Sequence, residues 1–362
     1  MSDLSAPVRK ITIDPDDLRQ LQSNVWSRQF VPVKLEMDGR TFDAQIRYRG
    51  GHTRNYPKKS YEVLVEGKLT LHWNAESDDP SMIRNALSFR FFEMIGVPSP
   101  TAQHFWLEWN GQQHGVYLEL ESVDATFFKK RGIQAHSLIY AVNDNATFGL
   151  IDRDTKLRKE SLFSGYRLMM GESSAETRLV RFIRRINRPA NRSLRLYLRK
   201  KLDVSQYLQW LAGAVLTGNY DGFDQNYALY EHLPSKRLRM IPWDYEGTWG
   251  RNCYGKLCGS DLVPIQGHNK LTRKVLAYRS NRVAYRRLLR KLLAGPFSVE
   301  QIAPEIDTIY AALAPAIRDD FTRKWPFSAF QEEPDQIKQY IAERREIVRR
   351  ELRRWAKADA AK

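Results

Sequence analysis

Asp221, Asn226 and Asp244 carry the residue types that a group transfer to a hydroxyl requires. They stand in the stretches GNYDGFDQNYALY and IPWDYEG. A carboxylate beside a reacting hydroxyl orients it and accepts its proton. A hard divalent cation takes oxygen ligands, commonly carboxylate and side-chain amide, and phosphate oxygens supply the rest. An Asp, an Asn five positions on and a second Asp beyond a hairpin offer that set within one short region. Taken alone, the Asp–Asn spacing also fits a solvated loop rich in turn-forming residues.

The elements that must position these residues are legible around them. DVSQYLQWLAGAVLTG is read as a helix, with Asp203 as its cap and Gln206 reaching back as in a capping box. Leu208, Leu211 and Val215 form its buried stripe, and Gly218 ends it. NYALYEHL, a turn at Pro234–Lys236 and RLRMIPWD then form a hairpin whose return strand delivers Asp244. Helix, Asp loop, hairpin and second Asp follow the order of the H-R-D-x-x-x-x-N and D-F-G blocks of protein kinases. Here the triplets are Asn219-Tyr220-Asp221 and Asp244-Tyr245-Glu246, with Gly247 just after. Tyr220 replaces the usual Arg and Glu246 the usual Gly, so regulation and metal geometry are not carried over with the order.

The remaining pattern is α+β. Residues 1–24 are read as a polar arm with one short helix at Pro15–Leu21, capped by Asp14. Residues 25–121 read as a small β-rich lobe of five strands and one main helix. One hairpin turns at Asp38-Gly39 and another at Asn110-Gly111. The helix places Ile83, Leu87, Phe91 and Ile95 on one face and closes at Gly96. Residues 122–330 read as a larger, mostly helical lobe interrupted by the catalytic hairpin, and residues 331–362 as a C-terminal basic helix.

The chain has 362 residues, 42% of them hydrophobic, enough for a large core. Its formal charge is +16, which favours acidic partners. Much of that charge lies in ETRLVRFIRRINRPANRSLRLYLRKKLD and RREIVRRELRRWAK, both of which carry apolar residues at helical spacing. They are read as amphipathic helices with solvated basic faces. Nucleic-acid binding would rest on charge alone, because the aromatics form no stacking motif. Cys253 and Cys258 are read as reduced thiols in a loop, with a redox-sensitive pair as the alternative. No apolar run approaches the roughly 20 residues of a membrane span, and MSDLSAPVRK lacks a secretory pattern. The expectation is a cytoplasmic protein without a membrane anchor.

Over roughly residues 30–250 the sequence resembles the spore-coat CotH kinase family. The resemblance rests on ordered blocks: Arg49-Gly50 before Pro57-Lys58-Lys59-Ser60-Tyr61, DDPSMIRNALSFRFFEMIGVPSP, LEWNGQQHGVYLELESVD, GNYDGFDQNYALY and IPWDYEGTWG. It implies a bilobal protein-kinase-like fold, ATP with Mg or Mn, and phosphorylation of Ser or Thr in a protein substrate. It also implies Asp221 as the catalytic carboxylate and Asn226 and Asp244 as metal ligands. Lys59, or alternatively Lys58, would contact ATP phosphates. Gly50 would lie in a phosphate-covering turn, and Glu121 at a hinge where backbone groups bind adenine. Glu93, on the inserted helix, is read as an exposed acid, with pairing to the lysine as the alternative. The same residues leave open a non-catalytic nucleotide-binding scaffold and nucleotidyl transfer to a hydroxyl.

Overall fold

The structure is a computed structural model describing residues 6–361; residues 1–5 of the expected arm and residue 362 of the expected C-terminal helix lie outside the described residues. The fold is mixed α+β and divides into two compact units. The first comprises the chain up to Ala86, Pro100–Ser122 and Pro304–Asp335; the second comprises Leu87–Ser99, Val123–Ala303 and Gln336 onward.

The first unit is built on β1 (Val8–Thr12), α1 (Pro15–Ser23), β2 (Val31–Met37), β3 (Arg40–Arg49), β4 (Ser60–Val65) and β5 (Leu69–Asn74). The helix α2 (Arg84–Met94) then starts in this unit and continues in the second, before β6 (Ala102–Trp109) and β7 (Gln112–Glu121). The strands close into a barrel in the order β1-β2-β3-β4-β5-β7-β6, with β1 parallel to β6. Side chains alternate across each strand. Val31, Val33, Leu35, Ile46, Tyr61, Val63, Trp73, Phe105 and Leu107 therefore all enter one core. At both Asp38-Gly39 and Asn110-Gly111 the two turn residues have positive φ, the twist that a two-residue hairpin needs. The Asp14 carboxylate accepts from Asp16 N at 2.8 Å at the start of α1.

Five strands were expected where seven are found. VRKIT of β1 and LTLHWN of β5 are short and only partly apolar, and each is completed by neighbours distant in sequence. The unit boundaries also differ from the expected 25–121. Pro304–Asp335 joins the barrel because its acids answer buried cations. Arg84, fully buried, pairs with Asp79 at 2.7 Å and Glu333 at 2.5 Å, while Asp320 accepts from Lys58 Nζ at 3.0 Å and Val116 N at 2.8 Å.

The second unit contains α3 (Ala125–Lys130), β8 (Ala135–Ala141), β9 (Tyr166–Met170), α4 (Ser174–Ile186), α5 (Arg192–Lys201), α6 (Val204–Thr217), β10 (Tyr227–His232) and β11 (Arg237–Pro242). It continues with α7 (Lys270–Val275) and α8 (Arg279–Ala294). The last two helices are shared by segment: α9 (Val299–Asp319) belongs to this unit up to Ala303, and α10 (Phe327–Ala360) from Gln336. The expected separate helix at 331–362 is thus the greater part of α10. The hairpin β10–β11 is extended by β8 and β9 into a four-stranded sheet of order β11-β10-β8-β9. Those two added strands correct the reading of a single hairpin among helices; AHSLIYA and YRLMM lack clean alternation and are ordered by pairing with β10 and with each other.

Asp203 does cap α6, accepting from Gln206 N at 3.3 Å. Gln206 does not complete a capping box. Its buried amide instead donates to Met240 O at 2.6 Å and accepts from Met240 N at 2.8 Å. Edge strand β11 leaves those backbone groups without a sheet partner, and a buried polar group left unpaired costs more than the lost cap. Among the described residues no helix is long and apolar enough to cross a membrane.

Candidate active site

The loop carrying Asp221 begins where α6 ends, and the end of α6 is held from outside. Gly218 adopts φ +76°, the left-handed close of a helix. A Cβ there would stand 2.4 Å from Tyr340 Oη. Tyr340 Oη donates to Leu216 O at 3.0 Å. Arg344, 1% exposed, donates to Val215 O at 2.7 Å, Ser260 O at 2.9 Å and Val263 O at 2.6 Å. The last carbonyls of α6 thus meet a buried guanidinium at the negative end of the helix dipole. Beyond Gly218, the Asn219 carboxamide oxygen accepts from Gly222 N at 2.8 Å, shaping a short 3₁₀ turn at Asp221–Phe223. The carbonyl of Asp221 accepts from Asp224 N at 3.1 Å and Gln225 N at 3.0 Å.

Asn226 and Asp244 sit at the paired ends of β10 and β11. The last ladder rung joins Tyr227 to Pro242, and Trp243 N donates to Asn226 O at 3.2 Å just beyond it. Both candidate ligands adopt left-handed backbone, φ +58° at Asn226 and +57° at Asp244. Asn and Asp are the side-chain-bearing residues that tolerate this region best.

Downstream of Asp244 the chain is fastened at several points. Tyr245 is fully buried against the rings of Phe89 and Phe92. Thr248 Oγ1 donates to Tyr245 O at 2.6 Å. Trp249 N donates to Thr217 O at 2.8 Å and its indole N–H to Ser88 Oγ at 2.9 Å. A Cβ on Gly247 would stand 2.7 Å from Cys253 N, so the 252–253 turn lies directly against the stretch that carries Asp244.

The electrostatics of this corner involve residues with no local sequence signal. The half-buried Cys253 thiol lies in the field of the Asp221 carboxylate; burial first, then the negative charges of Asp221 and Glu246, push it up to about 12. It is neutral near pH 7, and neither cysteine is in a disulfide. Asp224 pairs with Arg153, brought in by the long β8–β9 connection. Burial nevertheless raises the Asp224 carboxyl above its ordinary range. His268 lies between Tyr220, stacked at 4.7 Å, and Phe223, at 4.4 Å, with Nε2 3.9 Å from Asp224. Burial and, after it, the charge of Arg153 lower His268 to about 4, so the imidazole is neutral near pH 7.

Asp221, Asn226 and Asp244 therefore belong to one corner of the second unit, whereas Gly50, Lys59 and Glu121 belong to the first. There, Lys58 is committed to structure: it donates to Val116 O at 2.8 Å and Asp320 at 3.0 Å, and burial lowers it to about 8 against the pull of Asp320. The Lys59 ammonium donates to Arg54 O at 2.7 Å. Gly50, at φ +103°, accepts from Arg54 Nε at 2.9 Å ahead of a 3₁₀ turn at His52–Asn55. The Glu121 carboxylate accepts from Thr101 N at 3.1 Å and Thr101 Oγ1 at 3.3 Å. Glu93 is half exposed, 3.6 Å from Arg131.

Among the described residues no group of three or more His, Cys, Asp or Glu is placed to hold a metal ion. Asn226 and Asp244 provide an amide oxygen and a carboxylate, hard donors that suit Mg²⁺ or Mn²⁺ where phosphate oxygens and water complete the shell.

A family model described as CotH kinase protein matches residues 46–348. The chain is 38% identical over 352 residues to the inner spore coat protein H of Bacillus subtilis, covering 96% of this chain and 97% of that protein. It is 27% identical over 302 residues to an inner spore coat protein H-like protein of the same organism, covering 82% and 86% respectively. Among solved structures it is similar to the proinflammatory kinase CtkA of Helicobacter pylori, at 9% identity and a TM-score of 0.32, over 90% of this chain and 95% of that one.

Proposed function

The chain belongs to the CotH kinase protein family, and from that premise we propose that it is an ATP- and metal-dependent phosphotransferase acting on Ser or Thr of a protein. In this reading its two units are the small and large lobes of a kinase-like fold. The observation that carries the proposal is the corner of the second unit where the Asp221 turn meets the β10–β11 ends bearing Asn226 and Asp244. Membership alone would not require all three side chains to be present and supported.

Asp221 orients the acceptor hydroxyl and takes its proton as the acceptor oxygen bonds to the terminal phosphorus and the bond to the bridging oxygen of ADP breaks. The Cys253 thiol stays neutral in the field of that carboxylate and so brings no competing negative charge. Asn226 and Asp244 would hold the divalent ion, which supplies charge neutralisation on the phosphates. In the first unit, Lys59 is the lysine offered to phosphate, because Lys58 is buried against Asp320. Gly50 and Glu121 are assigned nucleotide contacts through their backbones.

The test is transfer from γ-labelled ATP to a Ser/Thr-containing protein by the pure chain, with and without Mg²⁺ or Mn²⁺. Labelled product that disappears with chelator and in Asp221→Ala is expected. Full activity in both Asp221→Ala and Asp244→Ala would overturn the assignment. Intact mass of the product separates phosphoryl from nucleotidyl transfer.

A further inference from the structure

In the second unit α8 packs against the C-terminal part of α10, and the charge along their seam is uneven. The helix α8 carries Arg279, Arg282, Arg286, Arg287, Arg290 and Lys291 and no acid. At one end of the seam Arg282 and Arg286 both pair with Asp359, at 2.8 and 2.5 Å. At the other end Arg345 donates to Leu293 O at 2.9 Å and also to Phe297 O, closing the end of α8. Both ends are thus satisfied from within the chain.

The middle is not. A cavity of about 260 Å³ opens there, lined by Arg290, Arg349 and Arg353 over Leu293, Ala294 and Leu352. Arg290 and Arg353 make no ion pair or hydrogen bond among the described residues. The acid paired with Arg349 is Glu346 on the same helix, itself 67% exposed. Three guanidiniums converging around one exposed carboxylate, Glu346, leave net repulsion, and a single acid on α8 would relieve it at little cost. Guanidinium forks bind carboxylate or phosphate oxygens in pairs, and the apolar floor would take a small hydrophobic group that those anions flank.

We propose that this pocket is a docking site for an acidic peptide segment of a partner protein, seated by one apolar side chain on Leu293, Ala294 and Leu352 and held by Arg290, Arg349 and Arg353. A volume of about 260 Å³ holds one side chain, and it falls below the roughly 300–1,000 Å³ of pockets that enclose small-molecule ligands. No aromatic side chain lines the pocket to stack on a base. The site is independent of the phosphotransferase reading.

The test is fluorescence anisotropy with the full chain and a labelled twelve-residue Glu/Asp peptide carrying one central Leu. Phosphoserine in place of the flanking acids tests which anion is preferred, and either preference supports the site provided binding depends on the arginines. Arg290→Ala/Arg353→Ala, at two exposed positions, is expected to weaken binding about tenfold or more with an unchanged melting temperature. Replacing the central Leu by Ser in the peptide is expected to weaken it too. Arg287→Ala/Lys357→Ala removes the same charge off the pocket and is expected to change binding less than about twofold. Equal loss in both double variants would reduce the effect to net charge and overturn the proposal. So would absence of binding to the wild-type chain. A twelve-nucleotide single strand or anionic vesicles losing binding in Arg290→Ala/Arg353→Ala while the peptide does not would also overturn it.

Discussion

Asn226 and Asp244 share one backbone conformation at adjacent ends of one hairpin, φ +58° and +57°, with Trp243 N bonded to Asn226 O between them. Two left-handed non-glycine residues flanking the end of a ladder are held there by their surroundings, since each costs on the order of 1 kcal/mol. Segments on both sides are anchored, by the 3₁₀ turn before Asn226 and by buried Tyr245 after Asp244.

This conformation separates side-chain chemistry from backbone strain. Asp244→Asn keeps a residue tolerant of left-handed backbone and is expected to melt within a few degrees of wild type while losing transfer by about 100-fold or more. Asp244→Ala is expected to lose the same activity and a further ~1 kcal/mol of stability. Thermal melts and labelled-ATP assays on both variants check this. An Asp244→Asn variant with wild-type turnover would remove Asp244 from the metal role.

Cys253 reports on Asp221 without any turnover measurement. Its thiol is pushed up to about 12, in part by the Asp221 charge, so at pH 8.5 almost none is thiolate and alkylation is slow. Asp221→Asn is expected to speed alkylation of Cys253 severalfold, with Cys258 as internal reference, as read by peptide mass spectrometry. Unchanged rates would show that the two side chains do not interact.

A methyl group at Gly247 has nowhere to go. It would meet backbone atoms of Asn252 and Cys253 at 2.7–3.0 Å, and backbone cannot rotate aside. Gly247→Ala is expected to cost about 1–3 kcal/mol and to lower turnover by shifting the Cys253 turn. Urea melts of Gly247→Ala against wild type decide it.

His268 introduces an acid-sensitive step. Its pKa is lowered from 6.5 to about 4, so between those values the unfolded chain binds a proton that the native site refuses. Stability from this group is complete above about pH 6.5 and is lost as pH falls toward 4. His268→Gln is expected to flatten that part of the stability curve relative to wild type, measured by urea melts at pH 4.5 and 6.5. A parallel curve for the variant would mean that His268 titrates normally.

What could be read from the sequence was whatever local spacing encodes. The Asp221–Asn226 interval, the hairpin and its delivery of Asp244 are short-range, as are the turns at Asp38-Gly39 and Asn110-Gly111. Strands β1, β8 and β9 were not legible because partners well separated along the chain order them; β5 pairs with nearby β4 across a tight turn, but its other partner, β7, lies far along the chain. Gln206 was misread for a related reason: its position suits a capping box, but the edge of β11 competes for its amide and wins. Cys253, Arg153 and His268 enter the Asp221 corner from segments whose own patterns give no reason to place them there.

The grip of Arg344 on the end of α6 has a consequence in time. Arg344 and Val215 are 129 positions apart, and at roughly 5–20 residues per second a ribosome needs on the order of ten seconds to make the intervening chain. Through that interval the nascent protein carries Asp221 on a helix end whose carbonyls lack their cation. The corner is completed only once Arg344 has been made, so ribosome-bound chains stalled before Arg344 would be incompetent even though every residue of the candidate site has already been made.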